Sequence, residues 1–300
     1  MHAPSTQSNN SKRTLNWQLA VMTLAAFSWW MPHEGAWAQT TPPSAKPAEG
    51  TISLVGEKMA AAGLLKGYLT QAQLPNSLSL LPAPPVAGTT AQAEDESRYL
   101  ATRALMKGQR GVLAAQDANL NFPHPEQAFA CTLGFEPDPA KMPKLMHVLQ
   151  RSFTDAALAT YAAKNHYQRV RPFVVNDSVT CTPDEDAVLA KDGSYPSGHT
   201  AIGWTFALIL SELFPERADA LLKRGFEFGQ SRVICAAHWQ SDVTQGRVVG
   251  AGVVARLHAE PQFRADLMEA ASELPAAIKT ASAPKRDCAW EAKALAEVAQ

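Results

Sequence analysis

A histidine and an aspartate lie four residues apart in the stretch 231–242, which reads Ser-Arg-Val-Ile-Cys-Ala-Ala-His-Trp-Gln-Ser-Asp. If this stretch is helical, His238 and Asp242 share one face, one turn apart. The carboxylate can then bind one imidazole nitrogen and leave the other with a lone pair, as a nucleophile or a base needs. Arg232 adds a planar fork of donors that suits an anion. Taken alone, the stretch favours a surface histidine with a chance acidic neighbour, because short motifs recur by chance.

A second stretch, Gly-Ser-Tyr-Pro-Ser-Gly-His-Thr at 193–200, is followed by a strongly apolar segment. Ser197 is typical of a helix start, and Gly198 lets the backbone approach a ligand closely. The first amides of such a helix have no partner within it and attract phosphate. His199 would then stand beside the bound anion.

A third stretch, Lys-Asn-His-Tyr-Gln-Arg-Val-Arg-Pro at 164–172, carries two further cations. Lys164 and Arg171 are seven residues apart, a turn of about 700° in a helix, which puts both on one face. Pro172 disfavours helical geometry at Arg171, so we expect the helix to end there. Together the three stretches predict a site for a tetrahedral oxyanion, with three cations, amides at a helix start and two histidines that can move protons.

The three motifs Lys-x6-Arg-Pro, Pro-Ser-Gly-His and Ser-Arg-x5-His-x3-Asp, in this order, resemble the signature of the type 2 phosphatidic acid phosphatase superfamily, which also holds the vanadium haloperoxidases. The longer form of the second motif resembles the bacterial class A non-specific acid phosphatases, and the similarity extends from about Tyr68 to about His258. The resemblance implies an exported acid phosphatase of broad specificity that hydrolyses small phosphate monoesters. It also implies phosphate transfer to alcohols and a homodimer.

The resemblance implies how each residue acts, although the residues alone leave two routes open. His238 can attack phosphorus or activate water, and the family implies attack and a phosphohistidine intermediate. Asp242, or a group that it orients, would stabilise the imidazolium, while His199 would protonate the leaving alkoxide and later deprotonate water. The expected phosphate ligands are Lys164, Arg171, Arg232 and the amides of Ser197 and Gly198. No metal or other cofactor is expected, because the cations and amides would do the work of magnesium.

The composition indicates a helical protein. Hydrophobic residues make up 46% of the 300-residue chain, and charged residues make up 18% and are nearly balanced. The sequence has no basic patch, so nothing in it suggests a nucleic-acid partner. The spacing of apolar residues predicts helices at 89–108, 142–169, 199–213, 216–230 and 243–258. We therefore expect a single all-α domain over residues 51–300, and the resemblance implies two central helices that carry the second and third motifs.

The N-terminus resembles a secretory signal peptide over residues 1–38. Lys12 and Arg13 form its positive region, an apolar stretch follows, and Ala-Trp-Ala at 36–38 is a small-x-small cleavage site. The alternative is an uncleaved membrane anchor, but the apolar stretch is short for a span and the cleavage site favours removal. We therefore expect a periplasmic or secreted protein with no membrane span after processing, in which residues 39–50 form a flexible Pro-rich leader.

Four cysteines lie beyond the predicted signal peptide, and an even number in an exported protein suggests disulfides. Three pairings are possible. We favour Cys181 with Cys235 and Cys131 with Cys288, because the first pair would join two segments that flank the site.

Other activities remain compatible with the same residues. A vanadate-dependent haloperoxidase would hold vanadate in this oxyanion site, but the class A segments outside the motifs argue against it. A phosphate-binding module would not need an intact nucleophile and acid pair, and lipid phosphatases of this superfamily are built from several membrane spans. Because pentacoordinate vanadate on His238 would mimic the transition state, we expect vanadate to inhibit the phosphatase.

Overall fold

The computed structural model describes residues 64–297, so the predicted signal peptide 1–38 and leader 39–50 lie outside the described residues. Within 64–297 the chain forms helices and no strand, which confirms the all-α class expected from the sequence. In chain order the α-helices are α1 Ser77–Leu80, α2 Thr90–Met106, α3 Gln109–Ala118, α4 His124–Gln127, α5 Ala130–Leu133, α6 Pro143–Ala159, α7 Tyr161–Tyr167, α8 Pro172–Val175, α9 Asp186–Leu189, α10 Gly198–Leu213, α11 Ala218–Ile234, α12 Gln240–Leu257, α13 Pro261–Thr280 and α14 Cys288–Ala296. None of the helices in this range is both long enough and apolar enough to span a membrane.

Helix α10 lies at the centre of the fold and packs against α6, α11 and α12. Most of its residues are buried, as a helix enclosed by other helices requires, and Phe206 near its middle is fully buried. A β-carbon added at Gly225 of α11 would lie 2.3 Å from the β-carbon of Ala207. One added at Gly250 of α12 would lie 2.7 Å from the carbonyl oxygen of Ala201. The glycines therefore allow both helices to cross α10 closely, which brings the second and third motifs together.

The prediction of a single long helix over 142–169 is wrong. The segment forms two helices, α6 and α7, which are separated at Thr160, and α7 ends at Tyr167. Gln168 then adopts the left-handed region with a φ of 43°, and the chain turns away from the helix axis. Arg171 is extended and precedes α8, with Pro172 at the first helical position, where its missing N–H costs nothing. Lys164 and Arg171 consequently do not share a helix face, and other contacts bring them together.

Two disulfides link segments that are distant in sequence, and they have the pairing favoured from the sequence. Cys131 of α5 is bonded to Cys288 at the start of α14. Cys181 is bonded to Cys235 directly after α11. The second bridge ties the connection between α8 and α9 to the turn that follows the third motif's arginine, and so holds two sides of the site together.

Candidate active site

The three sequence motifs meet at one cavity of about 260 Å³. Lys164 comes from α7, Arg171 precedes α8, His199 belongs to the first turn of α10, and His238 lies between α11 and α12. The rest of the lining is mostly apolar and includes Leu64, Leu120, Phe153, Ala157, Leu189, Gly198 and Ile202. The cavity therefore combines a charged end with an apolar wall.

His238 does not lie on a helix shared with Asp242, so the condition under which the four-residue spacing puts both on one helix face is not met. Helix α11 ends at Ile234 and α12 begins at Gln240. Between them Ala236 takes a φ of 59°, in the left-handed region, and turns the chain. The imidazole of His238 is 2% exposed and is held in this turn at the cavity.

The contacts of His238 fix which ring nitrogen carries the proton. Nε2 lies 3.0 Å from Nη1 of Arg171. A guanidinium has only donors, so Nε2 must be the acceptor and must carry the lone pair of a neutral ring. The proton is then on Nδ1, beside the backbone and the hydroxyl of Ser194. The atom that borders the cavity's cations is therefore the nucleophilic one.

Asp242 acts on His238 through an intermediary. It is the third residue of α12, and its Oδ2 accepts the amide of Trp239 at 2.8 Å, as in a capping box. Nδ1 of His238 lies 3.5 Å from the same oxygen, which is too long for a hydrogen bond. The Ser194 hydroxyl donates to Oδ2 and lies 3.4 Å from Nδ1. The direct hydrogen bond predicted from the four-residue spacing is thus replaced by contact through Ser194.

Arg169 is a site residue that the sequence reasoning missed. Its Nη1 donates to Oδ1 of Asp242 at 2.6 Å, and its Nη2 donates to Oδ2 of Asp95, in α2, at 2.8 Å. The arginine side chain is 8% exposed and the two carboxylates are nearly or fully buried. The only sequence signal was its place two residues before Arg171, and that alone does not distinguish it from a surface arginine.

Backbone carbonyls hold the two cations of the first motif. Nζ of Lys164 donates to the carbonyl of Gly193 at 2.5 Å. Arg171 donates from Nε to the carbonyl of Asp192 at 3.0 Å and from Nη1 to that of Ala237 at 2.9 Å. Because these acceptors are neutral and fixed, both side chains are oriented while their positive charge stays available to an anion.

The carboxylate of Asp192 also contacts both cations and was not predicted from the sequence. Its Oδ2 lies 3.4 Å from Nζ of Lys164 and 3.0 Å from Nη2 of Arg171. The side chain is 38% exposed, whereas the two cations are 5% and 3% exposed. An acidic residue thus shares the cations that an oxyanion would need.

Arg232 is the most deeply buried cation of the site, at 1% exposure, and lies in the last turn of α11. Two of its nitrogens, Nε and Nη1, have no hydrogen-bond acceptor within the described part of the chain. Burial and, second, the charge of the neighbouring Arg171 lower the pKa of Arg232 to about 10. Buried donors without an acceptor cost free energy, so an anion held here is the partner that would satisfy them.

The start of α10 offers one amide fewer than predicted. The amide of Ser197 donates to the carbonyl of Asp242 at 3.0 Å, so the expectation that it binds phosphate is wrong. The Ser197 oxygen accepts from the amide and the hydroxyl of Thr200, which leaves its own hydrogen as a donor. The amide of Gly198, which lines the cavity, remains the first free donor of the helix.

His199 is held by the end of α3. Its Nε2 lies 3.0 Å from the carbonyl oxygen of Ala118, and a carbonyl can only accept, so Nε2 carries a proton. Nδ1 is then the nitrogen that can exchange a proton with a ligand. Burial lowers the pKa of His199 well below its usual value, and the charge of Arg232 lowers it further.

Burial also lowers the pKa of His238 and of Lys164. The pKa of His238 falls well below its usual value, first through burial and then through the charge of Arg171. Burial lowers the pKa of Lys164 to about 8, although Asp192 acts in the opposite direction. Without a bound anion, both histidines are therefore neutral at neutral pH, while the arginines stay charged.

Comparison with known proteins identifies the class to which this fold and site belong. The family model of the PAP2 superfamily matches residues 151–265, which include all three motifs. The chain is 45% identical over 207 residues to the non-specific acid phosphatase of Providencia stuartii, an alignment that covers 69% of this chain and 84% of that protein. It is 42% identical over 207 residues to the acid phosphatase of Zymomonas mobilis, covering 69% and 78%, and 40% identical over 224 residues to the non-specific acid phosphatase of Salmonella typhimurium, covering 74% and 90%.

The chain therefore belongs to the PAP2 superfamily. Within it, the chain belongs to the bacterial class A non-specific acid phosphatases and is an acid phosphatase, a phosphoric monoester hydrolase, as the sequence motifs suggested. The haloperoxidase alternative is not favoured, because these relatives are named acid phosphatases.

Proposed function

We propose that this acid phosphatase is a broad-specificity phosphomonoesterase that forms a phosphohistidine on Nε2 of His238, without a metal, and transfers the phosphoryl group to water or to an alcohol. The observation that carries the proposal is the 3.0 Å contact between Nε2 and Nη1 of Arg171, which assigns the lone pair to Nε2. A neutral imidazole with its lone pair beside a cluster of cations is suited to attack phosphorus.

In the first step Nε2 of His238 attacks phosphorus while the bond from phosphorus to the ester oxygen breaks. Lys164, Arg171 and Arg232 would hold the three equatorial oxygens, together with the amide of Gly198 and the hydroxyl of Ser197. Preorganised donors of this kind supply most of the protein's contribution to phosphoryl transfer. The positive charge that develops on the ring is balanced through Ser194 by Asp242.

His199 would give a proton from Nδ1 to the leaving oxygen. Because its Nε2–H is already bound to the Ala118 carbonyl, the acid form needs a second proton, on Nδ1. The low pKa of His199 keeps this form scarce in the free enzyme, and the negative charge of a bound phosphate would raise that pKa. In the second step neutral His199 takes a proton from water or from an alcohol, whose oxygen attacks phosphorus. The bond between phosphorus and Nε2 breaks, and its electron pair returns to the ring, so His238 is neutral again.

Broad specificity is supported by the rest of the cavity. Apart from the two histidines and the residues of the cationic end, its lining is mostly apolar, with Leu120, Phe153 and Ile202 among the side chains. Such a wall accepts leaving groups by size and apolar contact and offers few polar groups that would select one hydroxyl pattern. The proposed substrates are small phosphate monoesters.

We also propose export to the periplasm and assembly as a homodimer. The sequence of residues 1–38 and the two disulfides support export, because disulfides persist in oxidising compartments. The dimer rests on the family resemblance. N-terminal sequencing of the protein recovered from the periplasm tests the cleavage after Ala38, and light scattering at graded protein concentrations tests the dimer.

The mechanism is tested by trapping the intermediate. The enzyme is mixed with a phosphate ester labelled with 32P, quenched and analysed at alkaline pH, where phosphohistidine survives. Wild type should carry label, and His238→Ala should carry none. A prior EDTA treatment followed by dialysis should leave turnover unchanged. Label on the His238→Ala protein, or activity that returns only when a divalent ion is added, would contradict the proposal.

A further inference from the structure

Asp192 presents a carboxylate to two of the cations that the proposed function assigns to phosphate. Its Oδ2 lies 3.0 Å from Nη2 of Arg171 and 3.4 Å from Nζ of Lys164, and Asp192 lines the same cavity. A carboxylate in an anion site repels a bound anion, unless the anion carries a proton that it can donate to the carboxylate.

The carboxylate is not needed to position these cations. Arg171 already donates to three backbone carbonyls at 3.0 Å or less, those of Leu189, Asp192 and Ala237. Lys164 donates to the carbonyl of Gly193 at 2.5 Å. The backbone would therefore hold both cations in place if Asp192 lost its charge.

The difference in exposure indicates which partner can adjust. The Asp192 side chain is 38% exposed, against 3% for Arg171 and 5% for Lys164. If phosphate takes a place on these cations, Asp192 is the partner with room to move, while Arg171 and Lys164 are enclosed. Its backbone carbonyl accepts from Nε of Arg171, so the residue stays at the edge of the site.

We propose that Asp192 selects the monoanion of the phosphate group by accepting a hydrogen bond from its P–OH, and that it disfavours the dianion. A phosphate monoester loses its second proton near about pH 6. Below that pH the P–OH can donate to the carboxylate, which gives a charge-assisted hydrogen bond. Above it, a carboxylate faces a dianion and repels it. This selection rests on the proposed function, because it concerns the same phosphate site.

Other charged and titratable groups face Asp192, and any test must separate them from it. They are Lys164 and Tyr161 of α7, Arg171 before α8, and His199 and His238 on other walls of the cavity. The change Asp192→Asn also alters Lys164, whose charged form Asp192 favours. A comparison of two anions on the same protein at the same pH cancels these effects.

The probes are inorganic phosphate and sulfate. Sulfate is similar in shape but has no proton to donate between about pH 5 and about pH 8. Inorganic phosphate gives up most of its second proton in that interval, about one pH unit above a monoester. Dissociation constants are measured by titration calorimetry, so they do not depend on turnover. In wild type, the preference for phosphate over sulfate should be large at the acid end and should shrink toward neutral pH.

In Asp192→Asn, sulfate should bind about three- to tenfold more tightly, because a repulsive charge partly exposed to solvent is removed. The preference for phosphate should become small and nearly independent of pH. Asp192→Glu, which restores a carboxylate, should restore the pH-dependent preference. The matched control is Asp184→Asn, which removes the same charge from an exposed position before α9 and should behave as wild type.

Two results would overturn the proposal. If Asp192→Asn weakens both anions equally at every pH, the carboxylate positions Lys164 and Arg171. If it leaves the ratio of the two constants unchanged, the carboxylate takes no part in selection. The wild-type measurement is a test by itself, even if the variants fail to fold. A preference for phosphate over sulfate that does not change with pH in wild type would contradict the proposal. Failure of the proposed function would show instead as missing hydrolysis or missing phosphohistidine while both anions still bind.

Discussion

The carboxylate of Asp242 is paired with Arg169, whose Nη1 lies 2.6 Å from Oδ1. The other oxygen, Oδ2, accepts the hydroxyl of Ser194, and that hydroxyl lies 3.4 Å from Nδ1 of His238. The imidazole of His238, the proposed nucleophile, is therefore supported by a chain of groups that starts at Arg169. Such support fixes the orientation of the ring. Removal of one partner of a buried ion pair of this kind leaves the other charge buried without compensation and destabilises the fold.

Removal of Arg169 should be costly for stability and for turnover. Arg169→Gln leaves the carboxylates of Asp95 and Asp242 buried without their cation, so unfolding in urea should show a loss of about 3 kcal/mol. kcat should fall as well, because the support of His238 is weakened. The matched control is Arg98→Gln, whose ion pair with Glu94 is largely exposed and should contribute about 1 kcal/mol or less. Equal losses for the two variants would show that Arg169 is an ordinary surface arginine in energetic terms.

The value of kcat/KM should fall at both ends of the pH range. His238 must be neutral to attack, and its low pKa places the acid limb well below the usual range of histidine. The acid form of His199 is lost as pH rises, already below neutral pH in the free enzyme, because its pKa lies well below the usual range of histidine. On the alkaline side Lys164, with a pKa of about 8, loses the charge that would bind phosphate. Rates of an aryl phosphate measured from acid to alkaline pH test this. A flat profile would contradict these roles, and Lys164→Arg should weaken the alkaline fall because arginine stays charged.

The buried carboxyl of Glu126 should make the protein less stable as pH rises. Burial raises the pKa of Glu126 from 4.5 to about 8, and neither carboxyl oxygen has a hydrogen-bond partner within the described residues to oppose that shift. A group whose pKa is raised on folding contributes stability that is present below its unfolded pKa and is lost as pH rises through the folded pKa. The free energy of unfolding should therefore fall between pH 4.5 and about 8.

The check compares Glu126→Gln with wild type by urea unfolding at several pH values in that window. The variant should lack this fall and gain a few kcal/mol relative to wild type at the alkaline end. Glu94→Gln, at an exposed position, is the control and should follow wild type. A pH dependence of unfolding that Glu126→Gln does not change would show that other groups cause it.

Vanadate should inhibit competitively and far more tightly than phosphate. A pentacoordinate vanadate bonded to Nε2 of His238 would resemble the transition state, with its equatorial oxygens on the three cations, and such mimics bind more tightly than substrates. Inhibition constants of the two anions at one pH provide the measurement. His238→Gln, tested by calorimetry, should bind the two anions with similar affinity. A vanadate constant in wild type that is no better than that of phosphate would count against attack by His238.

The sequence predicted the elements of the site better than their geometry. The types and order of the motif residues singled out side chains of which four, Lys164, Arg171, His199 and His238, line one cavity. The apolar spacing predicted the helices 90–106, 198–213, 218–234 and 240–257 within a few residues. It also favoured the disulfide pairing that is found. These properties depend on short-range spacing and on residue chemistry, which the sequence carries directly.

Contacts between residues on different helices and turns were not predictable in the same way. The relation of His238 to Asp242 was considered only for a helical stretch, whereas the chain turns at Ala236. Left-handed backbone at an alanine leaves no sequence signal, so this turn could not be predicted. The amide of Ser197 was assigned to phosphate, yet the carbonyl of Asp242, distant in sequence, accepts it. Arg169 and Asp192 were missed for the same reason, since their partners are set by tertiary packing.

The two histidines should be separable by the quality of the leaving group. In the proposed mechanism His199 provides the proton for the leaving oxygen, so His199→Ala should slow an alkyl phosphate strongly. Loss of general acid–base catalysis of this kind costs about a hundredfold to ten-thousandfold, or about 3 to 5 kcal/mol. The first step with nitrophenyl phosphate should suffer less, because that leaving group departs without a proton.

The second step also needs His199 as a base, so phosphohistidine should accumulate in His199→Ala with nitrophenyl phosphate. Rapid mixing should then show a burst of nitrophenol followed by slow turnover, with label retained on the protein after quenching. His238→Ala should show neither burst nor label. His124→Ala, which changes an exposed histidine outside the cavity, is the control and should match wild type. Equal losses for alkyl and aryl esters in His199→Ala, with no burst, would mean that His199 does not act on the leaving oxygen and that its contact with Ala118 serves only to hold the helix start.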